Sequence, residues 1–142
     1  MLRAVPTLEI TPATADETQS FFARDWPAWD ERAGVRWDGS EHHLAARLGG
    51  VLVGAAYFSV AGGVGELRQI LVSTGHAEAG VGSRLLRAYE DRCRALGCHK
   101  LRLETGEYQA RGFYEKHGFG VDHVLADDRF HRTWYLMAKR LA

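Results

Sequence analysis

The 142-residue sequence predicts a single-domain α/β fold: a mixed, mainly antiparallel sheet with a central parallel crossover and helices on both faces. Three observations predict it. The glycine pairs Gly49-Gly50 and Gly62-Gly63 separate three strand-like runs at hairpin spacing. A turn containing Gly80 and Gly82 divides a strand pattern from a long helical one, and another strand pattern follows, which is the order of a parallel crossover. The length suits one hydrophobic core, and no repeat or linker divides it, so residues 1–142 read as one domain.

Leu8 and Ile10 flank Glu9 in a short alternation closed by Pro12, which predicts a first strand near an edge. Thr14 with Glu17 three residues later has the form of a capping box, opening a helix toward Arg24 with Phe21 and Phe22 on its apolar face. Pro27 is expected to interrupt it, leaving a short second helix in residues 26–37, where Trp26, Trp29 and Trp37 either line a pocket or cover the sheet.

Residues 42–48, 51–60 and 66–72 are the three strands of the meander, the second apolar on both faces and so expected to be central. From Gly80 onward, Leu85, Leu86, Tyr89, Cys93 and Leu96 recur at helical spacing as one buried stripe, and Gly97 closes it. Residues 100–105 alternate as a strand, 109–117 read as a short helix ended by Gly118, and 119–125 with 131–137 as a final antiparallel pair.

Lysine plus arginine and aspartate plus glutamate both number 18, a balance that weighs against nucleic acid as the main partner. Cys93 and Cys98 match neither a redox pair nor a metal-ligand spacing and are expected to be free thiols. The seven histidines form no compact ligand pattern, so no metal is expected. With no apolar leader and no stretch long enough to span a bilayer, a cytoplasmic location without membrane attachment is the default expectation.

A glycine-rich turn that opens a helix can aim unpaired backbone amides and the positive end of the helix dipole at an anion. No Gly-Lys-Ser or Gly-Lys-Thr follows Gly82, and the early glycine of a dinucleotide fingerprint is missing, so neither nucleotide motif fits. A second motif narrows the choice. Ala110, Phe113, Tyr114, Gly118 and Phe119 fall at the spacing of alanine, apolar residue, tyrosine, glycine and phenylalanine that, together with the Gly80-Val81-Gly82 turn, resembles the GCN5-related N-acetyltransferase superfamily. The resemblance spans about residues 66–119. It departs from the family pattern at Ala77, where arginine or glutamine is common, at Thr74 in place of a proline, and at Glu107 in place of an asparagine.

The resemblance implies acetyl-CoA as the acyl donor and a primary amine as acceptor, reacting by direct attack in a ternary complex. A small-molecule amine is expected ahead of a peptide amine, and a homodimer through a terminal strand or helix is compatible with the pattern. The pantetheine arm would run between the parted ends of the two parallel strands, on the main chain of Leu71 and Val72, with a backbone N–H near Val72 facing the acetyl carbonyl. The diphosphate would meet Ala77, Glu78, Ala79, Gly80, Val81, Gly82 and Ser83, with the Ser83 hydroxyl or Arg84 adding to it. Tyr114 is the expected general acid, since a phenol is protonated at neutral pH, and Glu66 the expected general base, with Glu104 and Glu107 in reserve. The competing expectation is a non-catalytic acyl-CoA sensor with the same fold, to which the departures at Ala77 and Glu107 point.

Overall fold

The computed structural model describes residues 3–76 and 80–141, and these fall into two compact units, one ending at Arg36 and one beginning at Trp37. The first unit is built on helix α1, Ala15–Ala33. Its start is the predicted capping box: Glu17 N–H donates to the Thr14 hydroxyl, and Thr14 N–H donates to the Glu17 carboxylate at 2.9 Å. Gly34 closes the helix with φ +67°, the left-handed conformation a C-terminal cap requires.

Two expectations fail in this unit. Residues 3–14 contain no strand, because a brief alternation between two prolines has too few donors to sustain a ladder. Pro27 does not interrupt the helix, which runs through it without a break. Proline removes one intrahelical bond, and firm caps at both ends help to offset that loss.

The second unit is a six-stranded sheet: β1 (Ser40–Leu48), β2 (Val51–Ala61), β3 (Val64–Val72), β4 (Lys100–Gly106), β5 (Gly120–Leu125) and β6 (Trp134–Arg140), in the spatial order β1-β2-β3-β4-β6-β5. Among the described residues only β3 and β4 pair in parallel; every other pairing there is antiparallel. The meander and the crossover thus follow the sequence reading. The last strand begins at Trp134, not His131, because a 3₁₀ turn over Arg129–His131 takes the preceding residues.

Helix α2 (Val81–Ala95) is the crossover, and its stripe of Leu85, Leu86, Tyr89 and Cys93 is buried against Phe58, Leu67, Leu101 and Met137. Tyr89 places its ring edge-on to Phe58 at 5.0 Å and donates from its hydroxyl to the Gly65 carbonyl at 2.7 Å, so a large aromatic is buried with its polar atom satisfied. Gly65 lies directly under Cys93, where any side chain would collide with the sulfur. A short helix α3 (Arg111–Lys116) ends at Gly118, whose φ of +90° turns the chain into β5.

Candidate active site

The site begins where β3 and β4 separate. Their parallel ladder joins Val64 to Lys100 and ends at Leu67 with Leu103. Beyond it β3 stays on β2 as far as Val72, and β4 stays on β6 as far as Gly106. The ladder stops beside an irregularity: Tyr57 pairs with Gln69 and Phe58 with Leu67, which leaves Arg68 as the extra residue of a bulge. A bulge increases local twist and bends its strand, so it directs the end of β3 away from β4.

The opening is a cleft of about 540 Å³, and its walls include Leu67, Ile70, Leu103 and Tyr114 with Gln69 and Glu104. Leu67 and Leu103 alternate onto the buried face of the sheet, whereas Gln69 and Glu104 alternate onto the other face. The cleft is therefore a slot through the sheet.

The ladder also decides which backbone groups face the slot. Ser73 N–H donates to the Val53 carbonyl, so by antiparallel alternation the Leu71 backbone is paired to Ala55, while the N–H groups of Ile70 and Val72 point away from β2. The sequence reading chose the main chain of Leu71 and Val72; of these, Leu71 is paired to β2, while the Val72 N–H, like that of Ile70, points the other way.

At the front of α2, Gly80 adopts φ +73° without a side-chain cap, and among the described residues no acid stands in the first turn. Helical geometry leaves the amides of Val81, Gly82 and Ser83 without intrahelical acceptors, whereas Arg84 N–H already bonds the Gly80 carbonyl. A Cβ on Gly82 would meet Phe113 at an ordinary 3.5 Å. The protein interior therefore does not demand this glycine, whereas a ligand lying close to the helix front would. The Arg84 side chain and His76 line a different groove, of about 370 Å³, beside β1. Ala77, Glu78 and Ala79, expected to contribute amides, lie outside the described residues.

Tyr114 is buried on α3, with its ring edge-on to Phe113 and Phe119 at 5.2 and 6.0 Å. Burial pushes its phenol above the ordinary value of 10.0, so the hydroxyl keeps its proton across the neutral range. Glu66 lies on the opposite face of the sheet, outside the walls of the slot, with its carboxylate 2.8 Å from Arg102 and 3.4 Å from Arg68. Glu104 borders the slot and is ion-paired to Arg129; Glu107 lies 3.5 Å from Arg132. Trp37 borders a groove beside Glu66, Arg68 and Arg102.

Two residues of this region escaped the sequence reading. Gln109 accepts the Gly106 N–H at 2.7 Å and fixes the turn between β4 and α3. His117 places Nε2 3.0 Å from the Ser83 hydroxyl. Burial, then the nearby charges of Arg87 and Lys139, hold this imidazole below its ordinary value. The only sequence signal for His117 was its place four residues after Phe113, on the same helical face.

The sheet thus opens between two parallel strands joined through α2, with a buried phenol in the wall of the opening. The sequence profile described as the acetyltransferase (GNAT) family matches residues 11–119, and the chain belongs to that family. Over 80 residues it is 40% identical to the IAA acetyltransferase of Azospirillum brasilense, covering 54% of this chain and 52% of that protein. Over 71 residues it is 37% identical to the blasticidin-S acetyltransferase of Streptomyces morookaense, covering 49% and 52%. These matches thus take in about half the length of each relative. Among solved structures, an acetyltransferase from Bacillus cereus ATCC 14579 superposes with a TM-score of 0.84 at 22% identity, covering 94% of this chain and 98% of that one. The PaiA N-acetyltransferase of Thermoplasma acidophilum, solved in complex with coenzyme A, gives 0.62 at 17% identity, covering 91% and 80%. At these identities the structural likenesses establish the fold alone.

Proposed function

We propose that the chain moves an acetyl group from acetyl-CoA to a primary amine of a small molecule, by direct attack with both substrates bound. The observation that carries this reading is the slot between β3 and β4 with Tyr114 in its wall, while Gly82 in the first turn of α2 lies against Val72 at the end of β3 and Phe113 next to Tyr114. When bound, acetyl-CoA supplies the acyl group and a thiolate leaving group. The amides of Val81, Gly82 and Ser83 hold the diphosphate, and the backbone N–H groups of Ile70 and Val72 pair with the pantetheine arm and acetyl carbonyl.

The amine reaches the slot from the face carrying Glu66 and Glu104, and its nitrogen bonds to the acetyl carbon as the carbon–sulfur bond breaks. Tyr114 gives its proton to the departing sulfur. The amine proton passes to Glu66 through water, because that carboxylate is paired to Arg68 and Arg102 and lies outside the walls of the slot. Neither cysteine forms an acyl intermediate, since both are buried outside the walls of the slot.

Release of free CoA thiol from acetyl-CoA across a panel of small amines tests the reading. Turnover with at least one amine is expected, and Glu66→Gln should lower kcat by roughly tenfold or more while leaving coenzyme A binding unchanged. A kcat lost in Glu104→Gln but kept in Glu66→Gln would transfer the base role to Glu104. Saturable CoA binding without turnover on any amine would make the chain a sensor.

A further inference from the structure

The helix that carries Tyr114 has six residues and no side-chain cap on its N-terminal amides, so its own hydrogen bonds cannot fix its position. Tertiary contacts must do that. Phe113 lies over Gly82, and His117 reaches Ser83, so one face of α3 sits on the first turn of α2. The Phe113 contact is apolar and tolerates sliding, whereas the Ser83 to His117 hydrogen bond is directional and sets one position.

His117 is held from the other side as well. Lys139 of β6 donates to its backbone carbonyl at 2.9 Å, and Glu90 of α2 accepts from Lys139 at 2.6 Å. Its own N–H donates to the Tyr114 carbonyl at 3.0 Å, which joins the brace to the residue carrying the phenol.

We propose that His117 is a positioning residue of the donor site: its hydrogen bond with the Ser83 hydroxyl fixes the amides at the front of α2 against the helix that carries Tyr114. It touches no reacting atom. One hydrogen bond then sets the diphosphate cradle and the proton donor at a constant separation. The inference rests on the acetyltransferase reading above and assigns a role that the family motif leaves to a variable position.

Titration calorimetry with coenzyme A as the probe, which needs no acceptor amine, tests the brace. His117→Ala should weaken binding roughly three- to tenfold, the range for one lost neutral hydrogen bond. Ser83→Ala should weaken it at least as much. The double variant should bind no worse than the weaker single one, because both changes delete the same bond. His117→Gln, whose amide reaches the position of Nε2, should recover affinity to within about twofold of the wild type. Additive losses in the double variant would overturn the proposal, as would wild-type affinity in His117→Ala. Should His117→Ala fail to fold, unchanged affinity in Ser83→Ala, or no recovery in His117→Gln, would overturn it equally. A wild-type chain that does not bind coenzyme A removes the acetyltransferase reading and this one together, whereas binding that ignores position 117 removes this one alone.

Discussion

Tyr114 draws its chemical character from its surroundings. A phenol against Phe113 and Phe119, shifted upward by burial alone, keeps its proton well into the alkaline range. Tyr114→Phe should lower kcat by about a hundredfold or more, with KM for acetyl-CoA little changed, because only the departing sulfur needs the proton. In the wild type, kcat should show no alkaline fall until pH exceeds roughly 10. The cysteines contrast with it. Burial, then the neighbouring thiol, pushes Cys93 up to about 12, and burial raises Cys98 too, so neither forms a thiolate at neutral pH. A disulfide reagent added to the native protein should therefore label neither thiol within minutes, and both once denaturant is present. The thiols were legible from their spacing, and for Glu66 the sequence offered an ion pair with Arg68 or Arg102 as the alternative to a base role; the structure forms both pairs.

The bulge at Arg68 converts an ordinary parallel pair into a slot. It could not be read from the sequence, because Arg68 sits in a run that alternates acceptably as an unbroken strand, and only pairing with β2 reveals the extra residue. The hairpins could be read, since their glycine pairs adopt the positive φ their turns require. At the front of α2, Gly82 provides a test of ligand approach separate from stability. A Cβ there meets only an ordinary contact, so Gly82→Ala should raise the melting temperature slightly or leave it unchanged, as alanine favours helix. The same change should raise KM for acetyl-CoA severalfold, and Gly82→Leu by more, because each side chain stands where the diphosphate must come close.

Across the whole molecule, the meander, the parallel crossover and the buried stripe of α2 up to Cys93 were legible because hydrophobic period and glycine punctuation agree there. Leu96, expected in the stripe, is exposed past the helix end, and the insertion of β6 between β4 and β5 had no signal in the sequence. The expected first strand and the break at Pro27 failed because each rested on a few residues with no account of the surrounding helix. The family match runs through both compact units. Electrostatics couple α2 to β6 through Glu90 and Lys139, and carry a pH signature. Burial pushes the Glu90 carboxyl up, but Lys139 and Arg94 outweigh it and hold the group below its ordinary value of 4.5. A folded value below the unfolded one makes the stabilisation complete above the unfolded value and lost as pH falls through the folded one. Lys139→Met should lower the melting temperature at pH 7, and the difference from the wild type should shrink steadily below about pH 4.5.

The central claim is that β3 and β4 part to admit a thioester to Tyr114, and a crystal structure with acetyl-CoA bound tests it most directly. The thioester sulfur should lie within about 3.5 Å of the Tyr114 hydroxyl, directly or through one water, with the diphosphate on the amides of Val81, Gly82 and Ser83. An acetyl group lodged outside the slot, or a diphosphate away from the front of α2, would contradict it.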